Sequence, residues 1–131
     1  MPQSPLTPAQ ASSFASGWFV AWNAHDLDAI MACYDGSIRH SSPFIKLYNG
    51  SDDRELVGLT AVRDYFARAL VRNPTLRFEP RSVATGLESV ILTYQRHSHN
   101  TPTGPDGGEP AAEIFFLNDA LKVVRSVSHY G

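Results

Sequence analysis

Four segments, Leu76–Thr85, Ser89–Ser98, Ala111–Asp119 and Lys122–Tyr130, decide most of what this chain can become. Each is rich in β-branched and aromatic residues, and turn residues separate them. Gly86-Leu87-Glu88 and Asn118–Leu121 are short enough for tight hairpins, and His99–Pro110 is a longer Pro/Gly loop. The run predicts a four-strand antiparallel meander. Its apolar face has to be covered, and the cover must come from the residues before it.

Those residues read as helices around one strand. Thr7-Pro8-Ala9-Gln10 is a helix start, with Thr7 as cap, Pro8 at the first helical position and Gln10 three residues after the cap. Ala11, Phe14, Ala15, Trp18 and Trp22 then share one helical face. Asp26 caps a short second helix whose buried side is expected to hold Leu27, Ile30, Met31 and Tyr34, with Asp35-Gly36 as its stop. Ser37–Pro43 alternates as a strand and finishes on His40, Ser41 and Ser42. Leu47–Gly58 is a polar loop with room for a short edge strand. The stretch 59–73 carries Val62, Tyr65, Phe66, Ala69 and Leu70 at amphipathic helical spacing and ends at Asn73-Pro74. Residues 1–6 read as a flexible lead-in to a single domain spanning 1–131. The order predicts an α+β fold. Three helices pack on one face of a strongly curved, cone-shaped antiparallel sheet and leave a pocket in the gap.

The 131 residues, 43% apolar and 18% charged, suit one globular core. A net charge of −2 with no Lys/Arg run argues against nucleic acid and membrane surfaces as partners. No apolar run is long enough to span a bilayer, and "MPQSPLTPAQ" lacks the pattern of a signal peptide. One cysteine, Cys33, rules out an internal disulfide and a Cys-based zinc cage. His97 and His99 make a His-x-His pair, but no third ligand lies near them in sequence, so no metal is expected. The expectation is a soluble, cytoplasmic protein that uses no cofactor.

The order of elements, with "AWNAHDLDAI", "AVRDYFARAL" and "KVVRSVSHYG", resembles the nuclear transport factor 2-like superfamily, and within it the SnoaL-like and ketosteroid-isomerase-like small proteins. The resemblance runs from about Ala11 to Gly131. It implies the cystatin-like cone and a small-molecule pocket, not one reaction. In ketosteroid isomerases a carboxylate just before the proline of the first strand moves the proton. That position is Ser42 here, and serine is no general base without an activating partner. The isomerase tyrosine on the first helix falls on Trp18. The protonated acid on the penultimate strand falls on Glu113, which keeps its chemical type.

The resemblance also sets strand parity. It places Ile38, His40 and Ser42 inward, with Val90, Leu92, Tyr94 and Arg96, then Glu113, Phe115 and Leu117, then Val124, Ser126, Ser128 and Tyr130. His40 and Glu113 are the candidate acid–base residues. Trp18, Trp22, Tyr34, Ser42, Phe66, Arg96, Ser128 and Tyr130 are candidate contacts for a small apolar ligand. Arg96 and Glu113, on neighbouring strands, are expected to pair. The leading functional expectation is a cofactor-free isomerase, cyclase or dehydratase moving protons on a small carbonyl compound. The alternatives are a non-catalytic binding protein and an association domain of the same fold. Ile91, Thr93, Gln95, His97, Val123 and Val127 are expected on an outer sheet face that pairs two copies as a homodimer.

Overall fold

The computed structural model describes residues 4–99 and 108–131. The sequence's Pro/Gly loop lies mostly outside the described residues. The order of elements is α1 (Pro8–Asn23), α2 (Leu27–Met31), β1 (Tyr34–Ser41), α3 (Ile45–Asn49), β2 (Leu56–Val57), α4 (Leu59–Arg72), β3 (Arg77–Thr85), β4 (Ser89–His97), β5 (Glu109–Leu117) and β6 (Val123–Tyr130). One sheet takes the strands in the order β2-β1-β6-β5-β4-β3. The meander β3 to β6 is antiparallel throughout, as expected, but β1 runs parallel to β6. The sheet is therefore mixed. It is curved and does not close on itself, and the helices lie on its concave side.

The start of α1 forms the capping box that the sequence spells. The Thr7 hydroxyl accepts from Gln10 N, and the Gln10 side chain accepts from Thr7 N. The lead-in is tied down at its end, because Leu6 is buried and its N–H donates to Leu87 O. Helix α1 buries Trp18, Phe19 and Trp22 against β3, and α4 buries Val62, Tyr65 and Phe66 toward β1. The core is aromatic. Trp18 stacks on Phe78 at 5.4 Å and meets Tyr94 and Phe115 edge-on at 5.7 and 5.3 Å.

Several local expectations are corrected. Tyr34 does not belong to α2: that helix ends at Met31, and Tyr34 opens β1 opposite Val123. Asp35-Gly36 does not stop a helix. It lies inside β1, where Asp35 accepts from the Ser37 N–H and hydroxyl and the register with β6 shifts. A fourth helix, α3, starts before the expected polar loop, runs into it and is closed by Gly50 at φ 69°, a conformation that glycine adopts without steric cost. Its edge strand, β2, is two residues long. On β6 the parity changes once. Phe116 faces Arg125 and Leu117 faces Val123, so Val124 is the extra residue. Val123 is then fully buried and Val124 only half-buried, the reverse of the expectation. His97 also turns out buried. Its Nε2 meets Glu79 Oε1 at 3.0 Å, and Gly108 at φ 69° passes so close that a Cβ there would stand 2.8 Å from the ring.

Candidate functional site

The concave side of the sheet encloses a cavity of about 30 Å³, room for one or two waters. Nine of the ten expected site residues line it: Trp18, Trp22, Tyr34, His40, Phe66, Arg96, Glu113, Ser128 and Tyr130. Ser42 does not. It sits past the end of β1, half-buried, where its hydroxyl accepts from Phe44 N and from the Tyr65 phenol at 2.8 Å. Sequence reasoning did not assign Phe44, Tyr48 or Asn73 to the lining. Phe44 lies between the expected strand and the expected loop, Tyr48 in that loop, and Asn73 at a helix end. The clustered aromatics of "PFIKLYNG" were the one available signal.

Strand β6 organises the polar groups. Ser126 and Ser128 share its inner face, two residues apart, and each serves a different neighbour. Ser126 is level with His40 on β1, and its hydroxyl shares a 2.6 Å hydrogen bond with His40 Nδ1. Ser128 is level with Glu113 on β5 and hydrogen-bonds its carboxyl. Tyr94 OH reaches Glu113 Oε1 at 3.4 Å. His40 and Glu113 are thus two strand spacings and two residues apart, roughly 12 Å between backbones on a flat sheet. No hydrogen bond joins the two side chains, which are held from different strands.

Both groups are neutral at pH 7, for one reason. Burial pushes the His40 imidazole down to about 4. Burial also pushes the Glu113 carboxyl up to about 8, against the hydrogen bonds from Ser128 and Tyr94. The neutral imidazole uses Nδ1 for Ser126. Its Nε2 has no protein partner among the described residues. The ring is held edge-on to Phe66 at 5.2 Å.

The expected Arg96–Glu113 pair is absent. The hairpin register places Arg96 opposite Glu109 and Leu92 opposite Glu113. Arg96 therefore binds Glu109 Oε1 at 3.1 Å, with both side chains nearly buried, and donates to Asn73 Oδ1 at 3.3 Å. Its guanidinium also lies 5.2 Å from the Phe44 ring and 5.7 Å from the Tyr130 ring, which stack on each other at 4.3 Å. Phe44, Tyr48 and Tyr130 keep partial exposure while the other aromatic lining is buried, and this marks the entrance. Burial first, then the nearby Glu113 carboxyl, raises the Tyr130 phenol.

Trp18 donates its Nε1–H to Tyr34 OH at 3.1 Å, deep in the core. The Tyr34 phenol is raised well above its ordinary value, chiefly by burial. Among the described residues, no three His, Cys, Asp or Glu side chains gather as a metal site. His97 is held by Glu79, and His99 meets Thr75 Oγ1 at 3.2 Å. No helix of the described residues is long and apolar enough to cross a membrane.

Comparison with known proteins gives a consistent result. The family model described as "SnoaL-like domain" matches residues 15–125. A SnoaL-like protein of unknown function from Burkholderia thailandensis is 35% identical, with a TM-score of 0.84 over 97% of this chain and 98% of that one. An Agrobacterium tumefaciens protein, provisionally named an isomerase of the SnoaL-like family, is 15% identical, with a TM-score of 0.71 over 94% and 98%. TerC, co-crystallised with polyporic acid, is 12% identical, with a TM-score of 0.75 over 93% and 92%. No curated protein matches the sequence.

Proposed function

Because the chain belongs to the SnoaL-like family, we propose that its cone is a cofactor-free acid–base site that moves protons on a small, apolar carbonyl compound. The observation that carries the reading is one cavity with a neutral imidazole and a neutral carboxyl on opposite sides of β6, each held by its own serine. With Nδ1–H donated to Ser126, Nε2 of His40 presents a lone pair to the cavity and takes a proton from an activated carbon. Protonated Glu113 donates a hydrogen bond to the oxygen on which charge develops. Both acts are stronger in an apolar enclosure than in water. The raised acid and the lowered base are each in the protonation state that their roles require at pH 7.

A ligand larger than water has to displace lining rings, and the Phe44–Tyr130 stack at the entrance is the first that must move. TerC, a protein of this fold, was co-crystallised with polyporic acid, which supports an oxygen-bearing ligand here. Two copies are proposed to associate through the outer sheet face. The lone, undisulfided Cys33 suits a cytoplasmic setting.

The test is hydrogen–deuterium exchange at the α′ and γ carbons of 2-cyclohexenone, and at the α carbons of related saturated cyclic ketones, in D₂O, followed by proton NMR. Catalysed exchange that is lost in His40→Gln and in Glu113→Gln supports the reading. Binding without exchange turns the cone into a carrier, and no binding removes the carbonyl site altogether.

A further inference from the structure

Trp22 is the cavity-lining residue whose polar atom has nothing to do. The residue is 6% exposed, and Nε1 is the one side-chain nitrogen or oxygen among the described residues that is wholly shut off from solvent and has no hydrogen-bond partner. A buried donor left unpaired is destabilising. The neighbouring indole shows that the fold can satisfy such a group, since Trp18 donates to Tyr34. Around Trp22 the partners are rings: Phe66 at 5.0 Å and 73°, Phe78 at 5.5 Å and Trp18 at 6.0 Å. A Phe66 ring face offers at most a weak N–H···π contact.

We propose that Trp22 anchors the ligand: its Nε1–H takes a neutral oxygen acceptor, a carbonyl or ether oxygen, at the apolar end of the cavity. The acceptor is neutral because the rings around Trp22 supply no opposite charge, and an anion there would be desolvated without a partner. The cation of the site, Arg96, is engaged with Glu109 and lies against Phe44 and Tyr130. Phe66 touches both the anchor and the base, 5.0 Å from Trp22 and 5.2 Å from His40. Trp22 is therefore a specificity-determining residue. It selects, from apolar molecules of the right size, those with an oxygen placed beside Phe66. This rests on the pocket reading above and deepens it.

The chain has two tryptophans, so a ¹⁵N-labelled sample shows two indole N–H signals, and Trp22→Phe identifies one by its loss. The probes are 2-cyclohexenone and 1-methylcyclohexene, similar in size and different in the oxygen. On saturation with the enone, the Trp22 indole proton is expected to move downfield, as a proton does on meeting a carbonyl. The hydrocarbon is expected to leave it without that shift. In Trp22→Phe, affinity for the enone is expected to fall about three- to tenfold, the worth of one neutral hydrogen bond, while affinity for the hydrocarbon holds. Enone binding seen at His40 or Phe66 with an unmoved Trp22 signal overturns the anchor and leaves the pocket reading standing. No binding at either place overturns both. The wild-type spectrum decides the matter even if the variant folds poorly.

Discussion

His40 and Glu113 take opposite pKa shifts from the same burial, and this gives the site a distinctive pH dependence. The rate constant kcat/KM for proton transfer is expected to rise above about pH 4, as His40 loses its proton, and to fall above about pH 8, as Glu113 loses its own. Stability follows from the same values. Glu113 is neutral in the folded chain up to about 8 but ionises near 4.5 when unfolded, so its effect is a loss of stability as pH rises between those values. His40 is neutral when folded down to about 4 but protonates near 6.5 when unfolded, so its effect is a gain over that window. The two slopes cancel between about 4.5 and 6.5. From 6.5 to 8 the carboxyl acts alone, and unfolding experiments should show a loss of about 2 kcal/mol. Glu113→Gln should flatten that limb, and a limb that persists in the variant assigns it to another group. His40→Gln keeps the shape and a hydrogen bond to Ser126. Turnover should drop about 10²–10⁴-fold with ligand affinity within about tenfold, and unchanged turnover would remove the imidazole from the chemistry.

Hairpin register decides which charges meet. Reading β4 and β5 as neighbours was enough to bring Arg96 and Glu113 to mind, yet their pairing depends on a loop whose length does not fix register. The structure sets Arg96 against Glu109, four residues away from Glu113 along β5. Arg96→Ala is therefore expected to strand the Glu109 carboxylate and cost about 3–5 kcal/mol in denaturant unfolding, while the alkaline limb owed to Glu113 stays in place. Movement of that limb would return Arg96 to Glu113. The same distinction explains what was legible in the sequence. Helices α1 and α4 and the four meander strands were readable because capping and apolar period agree over many residues. The inward set of β4 followed from alternation, once the resemblance had said which face is inward. The single extra residue Val124, the side-chain turn at Asp35–Ser37 and the burial of His97 under Gly108 were not readable, since each depends on one local contact with no periodic trace. The pocket emerged nearly whole because parity carries His40, Arg96, Glu113, Ser128 and Tyr130, and helical period carries Trp18, Trp22 and Phe66. Ser42 failed because the strand ends at Ser41 and the chain turns before parity can act.

At the scale of the molecule, the convex side of the sheet is the open question for assembly. Cross-strand register lines up Ala84, Ile91, Ile114 and Val127 in one outward row, with Phe116 in the row beside it under Arg125. Ile91 and Phe116 are 41% and 37% exposed. The proposed dimer buries this row, without Val123 and His97, which face inward or into their own cover. Light scattering at micromolar concentration should give twice the chain mass. Ile91→Glu, at a position too exposed to unsettle the core, should give a monomer with folding stability changed by about 0.5 kcal/mol or less. A monomeric wild type would refute the face. The parallel pair β1–β6 has a consequence of its own in the order of assembly. The meander and α4 are built from neighbours in sequence, but His40 meets Ser126 across 86 residues. Closing so long a loop is costly until most of the sheet exists to receive it. During synthesis the chain can hold its helices and three strands of the meander while the ligand site does not yet exist. The last strand brings both serines at once, so binding competence arrives in a single late step.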